Sequence, residues 1–229
     1  MQLGVVIVAG GKGLRFGGET PKQFLDLAGK PVLAHSIAVF ENHSSINKIV
    51  VVGPDDWLYF IDEEIVDRFG FDKVQRIVGG GAERQDSVLA GLNALDDATG
   101  PVLIHDGARP LVTAAIIDRI IAGLSTNNGV IPAIPVTDTI KEIENDRVQQ
   151  TLQRERLRAI QTPQGFIIEN LKPLLLQSKN EKFAATDEAM VLEKNGESVA
   201  VVDGHSTNIK ITDEHDLKIA ELILRDRDL

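Results

Sequence analysis

Short runs of apolar and β-branched residues recur along the first half of the chain: LGVVIVA (3–9), KIVVVG (48–53), VQRIVGG (74–80), PVLIHD (101–106) and GVIPAIPV (129–136). Between them the apolar positions take up a helical period, near 32–42, 55–69, 84–97 and 113–125, the last closing at Ser125 before TNNG. Strands alternating with helices in this way predict right-handed β-α-β units and a parallel sheet. Beyond Pro135 the pattern weakens. VTDTIKEIENDRVQQTLQRERLR is heavily charged and carries a turn signal at Asn145 and Asp146, which predicts a hairpin with little apolar surface to bury. Such a hairpin lies outside the core, either as a solvated excursion or as an arm gripping another subunit. The chain returns with helices near 167–178 and from about 187 to 195, a strand at 198–204, a short strand NIKI (208–211), and a final helix capped by Thr212. Asp213 and Glu214 stand in the first turn of that helix, and Leu217, Ala220, Ile223 and Leu224 form its buried stripe.

The expected fold class is therefore α/β: a Rossmann-like, mostly parallel sheet with helices on both faces. It forms one domain over 1–229, with a β-arm at about 137–160. Composition sharpens this. The 229 residues are 43% hydrophobic but only 4% aromatic, so Val, Ile, Leu and Ala must fill the core, as suits a helix-covered parallel sheet. A formal charge of −10 argues against a nucleic-acid surface, yet leaves room for a local basic pocket. With no cysteine, disulfides, thiolate metal ligands and cysteine nucleophiles are excluded. No apolar run approaches the ~18 residues of a membrane span, and Val5 to Ala9 is too short for a signal segment, so a cytoplasmic protein is expected.

The first strand leads into AGGKGLRFGGETPKQF, which fits neither common glycine fingerprint. A Walker loop needs Ser or Thr after its lysine, but Gly13 follows Lys12; a Rossmann loop needs a third glycine where Phe16 stands. The loop does offer backbone N–H groups at Gly10, Gly11 and Gly13, which a polyphosphate can approach because no Cβ intervenes. Arg15 and Lys22 can close on the same anion, an arrangement suited to charge that builds on the α-phosphorus of a triphosphate. A lone glycine loop is as readily a surface turn.

In open α/β sheets the ligand crevice lies beyond the carboxyl ends of the strands, so the residues there carry the most information. The third strand ends in Gly79, Gly80 and Gly81, with Ser87 placed to hydrogen-bond a base or ribose. The fourth ends in HDGARP, where Asp106 suits magnesium or a ribose hydroxyl and Arg109 suits a phosphate. His105 reads more readily as a structurally satisfied histidine. Thr139, Arg154, Thr162 and Lys210 add hydroxyls and cations for a second anion, although Thr139 and Arg154 sit on the arm and by themselves would read as solvated. Neither a Ser/His/Asp triad nor a histidine-rich metal spacing emerges, so positioning and positive charge matter more than a protein nucleophile.

These blocks, together with PVTDTIK, IQTPQGF, TDEA and NIKITDEHDL, run in order over nearly the whole chain and resemble the 2-C-methyl-D-erythritol 4-phosphate cytidylyltransferases. The resemblance implies transfer of CMP from CTP to the sugar phosphate, with pyrophosphate released and Mg2+ held mainly by CTP oxygens. It implies that Gly10, Gly11 and Gly13 wrap CTP while Arg15 and Lys22 stabilise the pentacoordinate phosphorus. Gly80 and Ser87 would meet cytosine, with backbone near Ala9 and Gly11 rejecting other bases. Asp106 would lie by the ribose and the second substrate. Arg109, Thr162 and Lys210 would line the methylerythritol phosphate site, and Thr139 and Arg154 would reach it from a homodimer partner's arm. Phe16 and Gly107 differ from residues frequent in the family, and neither change removes a charge or a donor. The alternatives are a ribitol 5-phosphate cytidylyltransferase or another polyol phosphate enzyme, and a nucleotide-binding module without turnover.

Overall fold

The structure is a computed structural model and describes residues 3–11, 20–95 and 100–227. Its elements run β1 (Leu3–Val8), β2 (Asp26–Leu27), β3 (Lys30–Pro31), α1 (Val32–Glu41), β4 (Ile46–Gly53), α2 (Leu58–Ile61), β5 (Val74–Gly79), α3 (Arg84–Ala94), β6 (Pro101–Asp106), α4 (Ala114–Gly123) and β7 (Gly129–Pro135). They continue with β8 (Lys141–Glu144), β9 (Arg147–Thr151), β10 (Arg158–Ile160), β11 (Gln164–Ile167), α5 (Ile168–Asn180), α6 (Glu188–Lys194), β12 (Val199–Asp203) and α7 (Glu214–Arg227).

One eight-stranded sheet has the order β10-β7-β11-β6-β1-β4-β5, with β12 on the other side of β7. β1 pairs in parallel with β4 and β6, and β4 with β5. β11 runs antiparallel between β6 and β7, while β12 lies parallel to β7. The α/β class and the mostly parallel sheet expected from the periodicity are both present.

Side chains on neighbouring residues of these strands point to opposite faces, and the sequence supplies apolar residues for both. Val5 and Ile7 of β1 join Ile49, Val51 and Leu103 in a core beneath α1 and α4, whereas Val6 joins Val50, Val52, Val102 and Ile104 beneath α3, α5 and α6. Helices thus cover both faces. Close approach needs glycine at Gly165, where a Cβ would stand 2.4 Å from Ile120 Cγ2 on α4. No helix among the described residues is long and apolar enough to cross a membrane.

The structure revises the sequence reading at several points. The helix expected over 55–69 begins with a 3-10 turn, Asp55–Trp57, and α2 passes into π-helical turns over Asp62–Asp67. The arm is shorter than 137–160, because residues 158–160 form β10 and pair antiparallel with β7. NIKI is no strand. Its backbone is held instead by Ile211 N donating to Ala108 O and by Arg109 Nη1 donating to Asn208 O, both at 2.8 Å, which leaves no ladder to join. The cap of α7 is Asp213 rather than Thr212: its carboxylate accepts from the amides of His215 and Asp216, and Asp216 accepts from the Asp213 amide in return. The stripe itself is as expected, with Ala220 buried and Leu217, Ile223 and Leu224 packed against Leu27, Val32, Leu111 and Ile211.

The hairpin β8–β9 turns at Asn145 and Asp146, both with positive φ (49° and 60°), as a two-residue turn of this type requires. All of its strand residues are exposed, and its two strands form a separate sheet.

Candidate active site

Because β1, β4, β5 and β6 are parallel, their carboxyl ends open on one edge of the sheet, and the loops beyond them are pinned to one another. Ala9 N donates to Val52 O, Gly107 N to Val8 O and Gly80 N to Gly53 O, at 2.7, 2.9 and 2.8 Å. At this edge lies a cavity of about 540 Å3, lined among others by Ala9, Gly10, Gly11, Lys22, Gly81, Arg84, Ser87, Asp106 and Lys210.

Asp106 is its electrostatic centre. Lys210 Nζ stands 2.8 Å and Arg109 Nε 3.8 Å from its Oδ2, and Arg84 Nη2 stands 3.2 Å from its Oδ1. Burial alone would raise its pKa, but the charges of Arg84, Lys210 and Arg109 prevail and hold the carboxyl well below the usual range, so it is ionised. Among the described residues no group of three or more His, Cys, Asp and Glu is arranged to hold a metal.

Behind Asp106 the main chain is held by a short relay. Asp106 N donates to Thr162 Oγ1 at 3.0 Å, Thr162 Oγ1 lies 3.1 Å from His105 Nδ1, and His105 Nε2 lies 3.1 Å from Arg109 O. Burial pushes the His105 pKa down to about 3, so the ring is neutral; with Nε2 donating to the carbonyl, Nδ1 accepts from the threonine hydroxyl. His105 is fully buried, with its ring centroid 4.9 Å from that of Phe40, which bears out a structural role.

The residues singled out in the sequence fall into three groups. Ala9, Gly10, Gly11, Lys22, Ser87, Asp106 and Lys210 line the cavity together. Arg109 and Thr162 stand behind Asp106, while Gly80 lies beside the lining, where a Cβ would come 2.8 Å from Ser87 Oγ. Thr139 and Arg154 are exposed near the arm, with Arg154 Nη1 donating to Thr137 O at 2.8 Å, and neither lines the cavity of its own chain. Gly13 and Arg15 lie outside the described residues.

Lys22 is positioned from below. It opens a 3-10 turn ending at Phe24, whose buried ring stacks on Trp57 with centroids 4.7 Å apart. Gln23 between them is buried and donates through Nε2 to the carbonyls of Ala9 and Gly11, so the turn also braces the glycine loop. Ser87 Oγ accepts from Gly81 N at 3.2 Å and lies 3.3 Å from Glu83 O, fixing the second glycine turn against α3.

Sequence reasoning missed Arg84, Glu188, Gln23, Gln161 and Asn208. Gln161 bonds His205 through both ends of its amide, and Asn208 Nδ2 donates to Thr162 O at 3.0 Å, so the segment bearing Lys210 is strapped to the end of β10. Signals existed in the sequence, since Arg84 lies between Gly81 and Ser87 in GGGAERQDSV (79–88), Gln23 in PKQF and Glu188 in TDEA. None of them identifies a polar side chain as buried.

A family model for 2-C-methyl-D-erythritol 4-phosphate cytidylyltransferase matches residues 3–226. The chain is 42% identical over 228 residues to the enzyme of that name from Halalkalibacterium halodurans, covering 100% of this chain and 99% of the relative. It is 43% identical over 225 residues to that of Alkaliphilus oremlandii, covering 97% and 95%. Its fold superposes on the crystal structure of 4-diphosphocytidyl-2C-methyl-D-erythritol synthase from Anaerococcus prevotii with a TM-score of 0.86, at 31% identity and 98% coverage of both chains. Since agreement in sequence and in fold runs from the first strand through the last helix, the chain belongs to the 2-C-methyl-D-erythritol 4-phosphate cytidylyltransferase family.

Proposed function

We propose that this protein transfers CMP from CTP to 2-C-methyl-D-erythritol 4-phosphate, forming 4-diphosphocytidyl-2-C-methyl-D-erythritol and pyrophosphate. The observation that carries this reading is the ionised Asp106 ringed by Arg84, Arg109 and Lys210 at the edge where the glycine loops meet, in a chain of this family. Among the described residues the site concentrates cations and backbone donors and shows no activated protein nucleophile, as suits one phosphate attacking another.

In this reading a phosphate oxygen of the sugar phosphate attacks the α-phosphorus of CTP in line. A new P–O bond forms, the bond to the bridging α,β oxygen breaks, and pyrophosphate departs with that electron pair. The attacking phosphate is already ionised near pH 7, so no general base is needed. Lys22, with Arg15, stabilises the charge that gathers on the pentacoordinate phosphorus. Backbone amides of Gly10, Gly11 and Gly13 hold the triphosphate, Gly80 and Ser87 meet cytosine, and backbone near Ala9 and Gly11 excludes other bases. Asp106 lies by the ribose, and Arg109, Thr162 and Lys210 serve the sugar phosphate, with Thr162 acting through the Asp106 backbone. Asp106 and Glu83 bring carboxylates to the cavity lining, and Asp106 is shared by three cations, which fits an ion carried in mainly on triphosphate oxygens and water, where it would neutralise charge.

The arm completes the site in a homodimer. Ile143 and Val148 on the hairpin are 56% and 58% exposed, apolar surface that a second copy would cover, and Thr139 and Arg154 would then reach the partner's cavity.

The test is pyrophosphate release from CTP and Mg2+ with 2-C-methyl-D-erythritol 4-phosphate and ribitol 5-phosphate supplied separately. Turnover with the methylerythritol compound is expected; turnover with ribitol 5-phosphate alone would overturn the reading, and CTP binding without any turnover would make the protein a binding module.

A further inference from the structure

Glu188 lies on the far side of Arg84 from the cavity. It is the first residue of α6, is 1% exposed, and is absent from the cavity lining. Its Oε1 takes Arg84 Nη1, while its Oε2 has no hydrogen-bond partner among the described residues. Burial pushes its pKa up; the Arg84 guanidinium opposes this, and Asp106 and Asp187 add to the rise. Keeping a carboxylate here is costly, and apolar groups of similar volume commonly replace buried ion pairs without loss of stability. Packing therefore does not account for it.

Geometry does. The guanidinium is a rigid planar fork, so fixing Nη1 on Glu188 also fixes Nη2, which stands 3.2 Å from Asp106 Oδ1. The other oxygen of Asp106 faces Lys210 and Arg109, cations that an arriving phosphate would draw toward itself. Of the three cations on Asp106, Arg84 alone is, among the described residues, also paired with a buried carboxylate at its other end. Without Glu188 the Arg84 fork would lose its fixed direction, and the Asp106 carboxylate would swing with it.

We propose that Glu188 is a positioning residue for cytidylyl transfer: acting through Arg84, it keeps the Asp106 carboxylate aimed into the cavity while substrate phosphates engage Lys210 and Arg109. This rests on the activity proposed above. Arg84 keeps Asp106 as a partner when Glu188 is neutralised, so nucleotide binding itself depends little on Glu188.

The test uses full-length E188Q, R84M and the double variant, each checked for folding by circular dichroism and thermal unfolding. Pyrophosphate release supplies kcat and KM, and calorimetry supplies CTP binding. E188Q is expected to lower kcat by about 10-fold or more, the scale of a misplaced reacting geometry, with CTP affinity within about twofold of wild type. R84M should lose at least as much, and adding E188Q to it should cost less than about twofold further, because the two act as one unit. Wild-type kcat in folded E188Q, or an E188Q loss of full size on the R84M background, overturns the positioning role. Should E188Q fail to fold, R84M decides, since an unchanged kcat there leaves Glu188 nothing to act through. Absence of wild-type turnover overturns the proposed activity and this role with it, whereas wild-type turnover with an unaffected E188Q overturns this role alone.

Discussion

The cavity rim and the hairpin arm carry similar side chains but stand in opposite physical states. Arg109 on the rim has 12% side-chain exposure and is committed to Asp106 and to the carbonyls of Asn208 and Ile160; Arg154 beside the arm has 51% exposure and holds the Thr137 carbonyl and, loosely, Glu155. The difference lies in what is underneath. The rim residues stand at the ends of strands whose apolar side chains are buried on both faces, so backbone packing determines where their charges point. The arm buries none of its strand residues in its own chain, and its shape rests on a two-residue turn and a short ladder. In the reading proposed, one part of the site is preorganised by the fold and the other is completed by a second copy.

The largest expected break in that comparison is Lys22→Ala, which should lower kcat by ~10²-fold or more while leaving the chain folded, as for other groups that stabilise transition-state charge. An unchanged kcat in a pyrophosphate assay would remove Lys22 from the chemistry. Next comes Gly165→Ala beneath the rim, where the new Cβ would stand 2.4 Å from Ile120 Cγ2 and 2.9 Å from Leu124 Cδ1. Overpacking of that kind should cost ~1–3 kcal/mol in denaturant unfolding, against less than about 0.5 for Gln150→Ala on the arm. Equal losses would mean that the arm is as strongly coupled to the core as the rim.

Arg154→Ala should raise KM for the sugar phosphate by roughly 10-fold with CTP affinity intact, the loss of one charge-assisted contact. Because the arm is proposed to act on the partner's site, co-refolding Arg154→Ala with Lys22→Ala and assaying with sugar phosphate well below KM should give about a quarter of wild-type activity, more than either variant alone, since half the dimers are mixed and each has one good site. No recovery on mixing would place Arg154 in its own subunit's chemistry or nowhere in it.

The smallest effect concerns the helix behind Lys210. Burial acts to raise the Asp216 pKa, but hydrogen bonds from Thr212 and from the Asp213 backbone outweigh it and lower the pKa. A carboxyl depressed in the folded state adds stability that is complete above its unfolded pKa of ~3.9 and disappears as pH falls through the folded value. Asp216→Asn should therefore cost ~1 kcal/mol near pH 7, typical of a lost cap, and the gap from wild type should close in strong acid. A gap that persists there would assign the effect to packing.

Much of the fold could be read from periodicity because strands with two buried faces and helices with one leave different patterns of apolar residues. β1, β5, β6 and α4 fall within a few residues of expectation for that reason. β10 and β11 left no such mark: RAIQTPQGF is short, polar and interrupted by Pro163, and it becomes sheet only because β6 and β7 present open edges. The candidate site divides in the same way. Glycine loops and the charges at strand ends were legible, since the direction of a parallel sheet decides which loops meet. Arg84, Glu188 and Gln23 were not, because a buried polar residue has the same letter as an exposed one.

By itself, then, the sequence determined the strand and helix periods, the glycine turns, the charge of the site and the exposure of the arm, all properties of residues near one another in the chain. Only the tertiary structure decided that Asp106 would be shared among Arg84, Arg109 and Lys210, and that Arg84 would in turn be held by Glu188, 104 residues away. Those partners come from separate elements, and a charge's partner is set by the packing that brings such elements together, on which local pattern is silent.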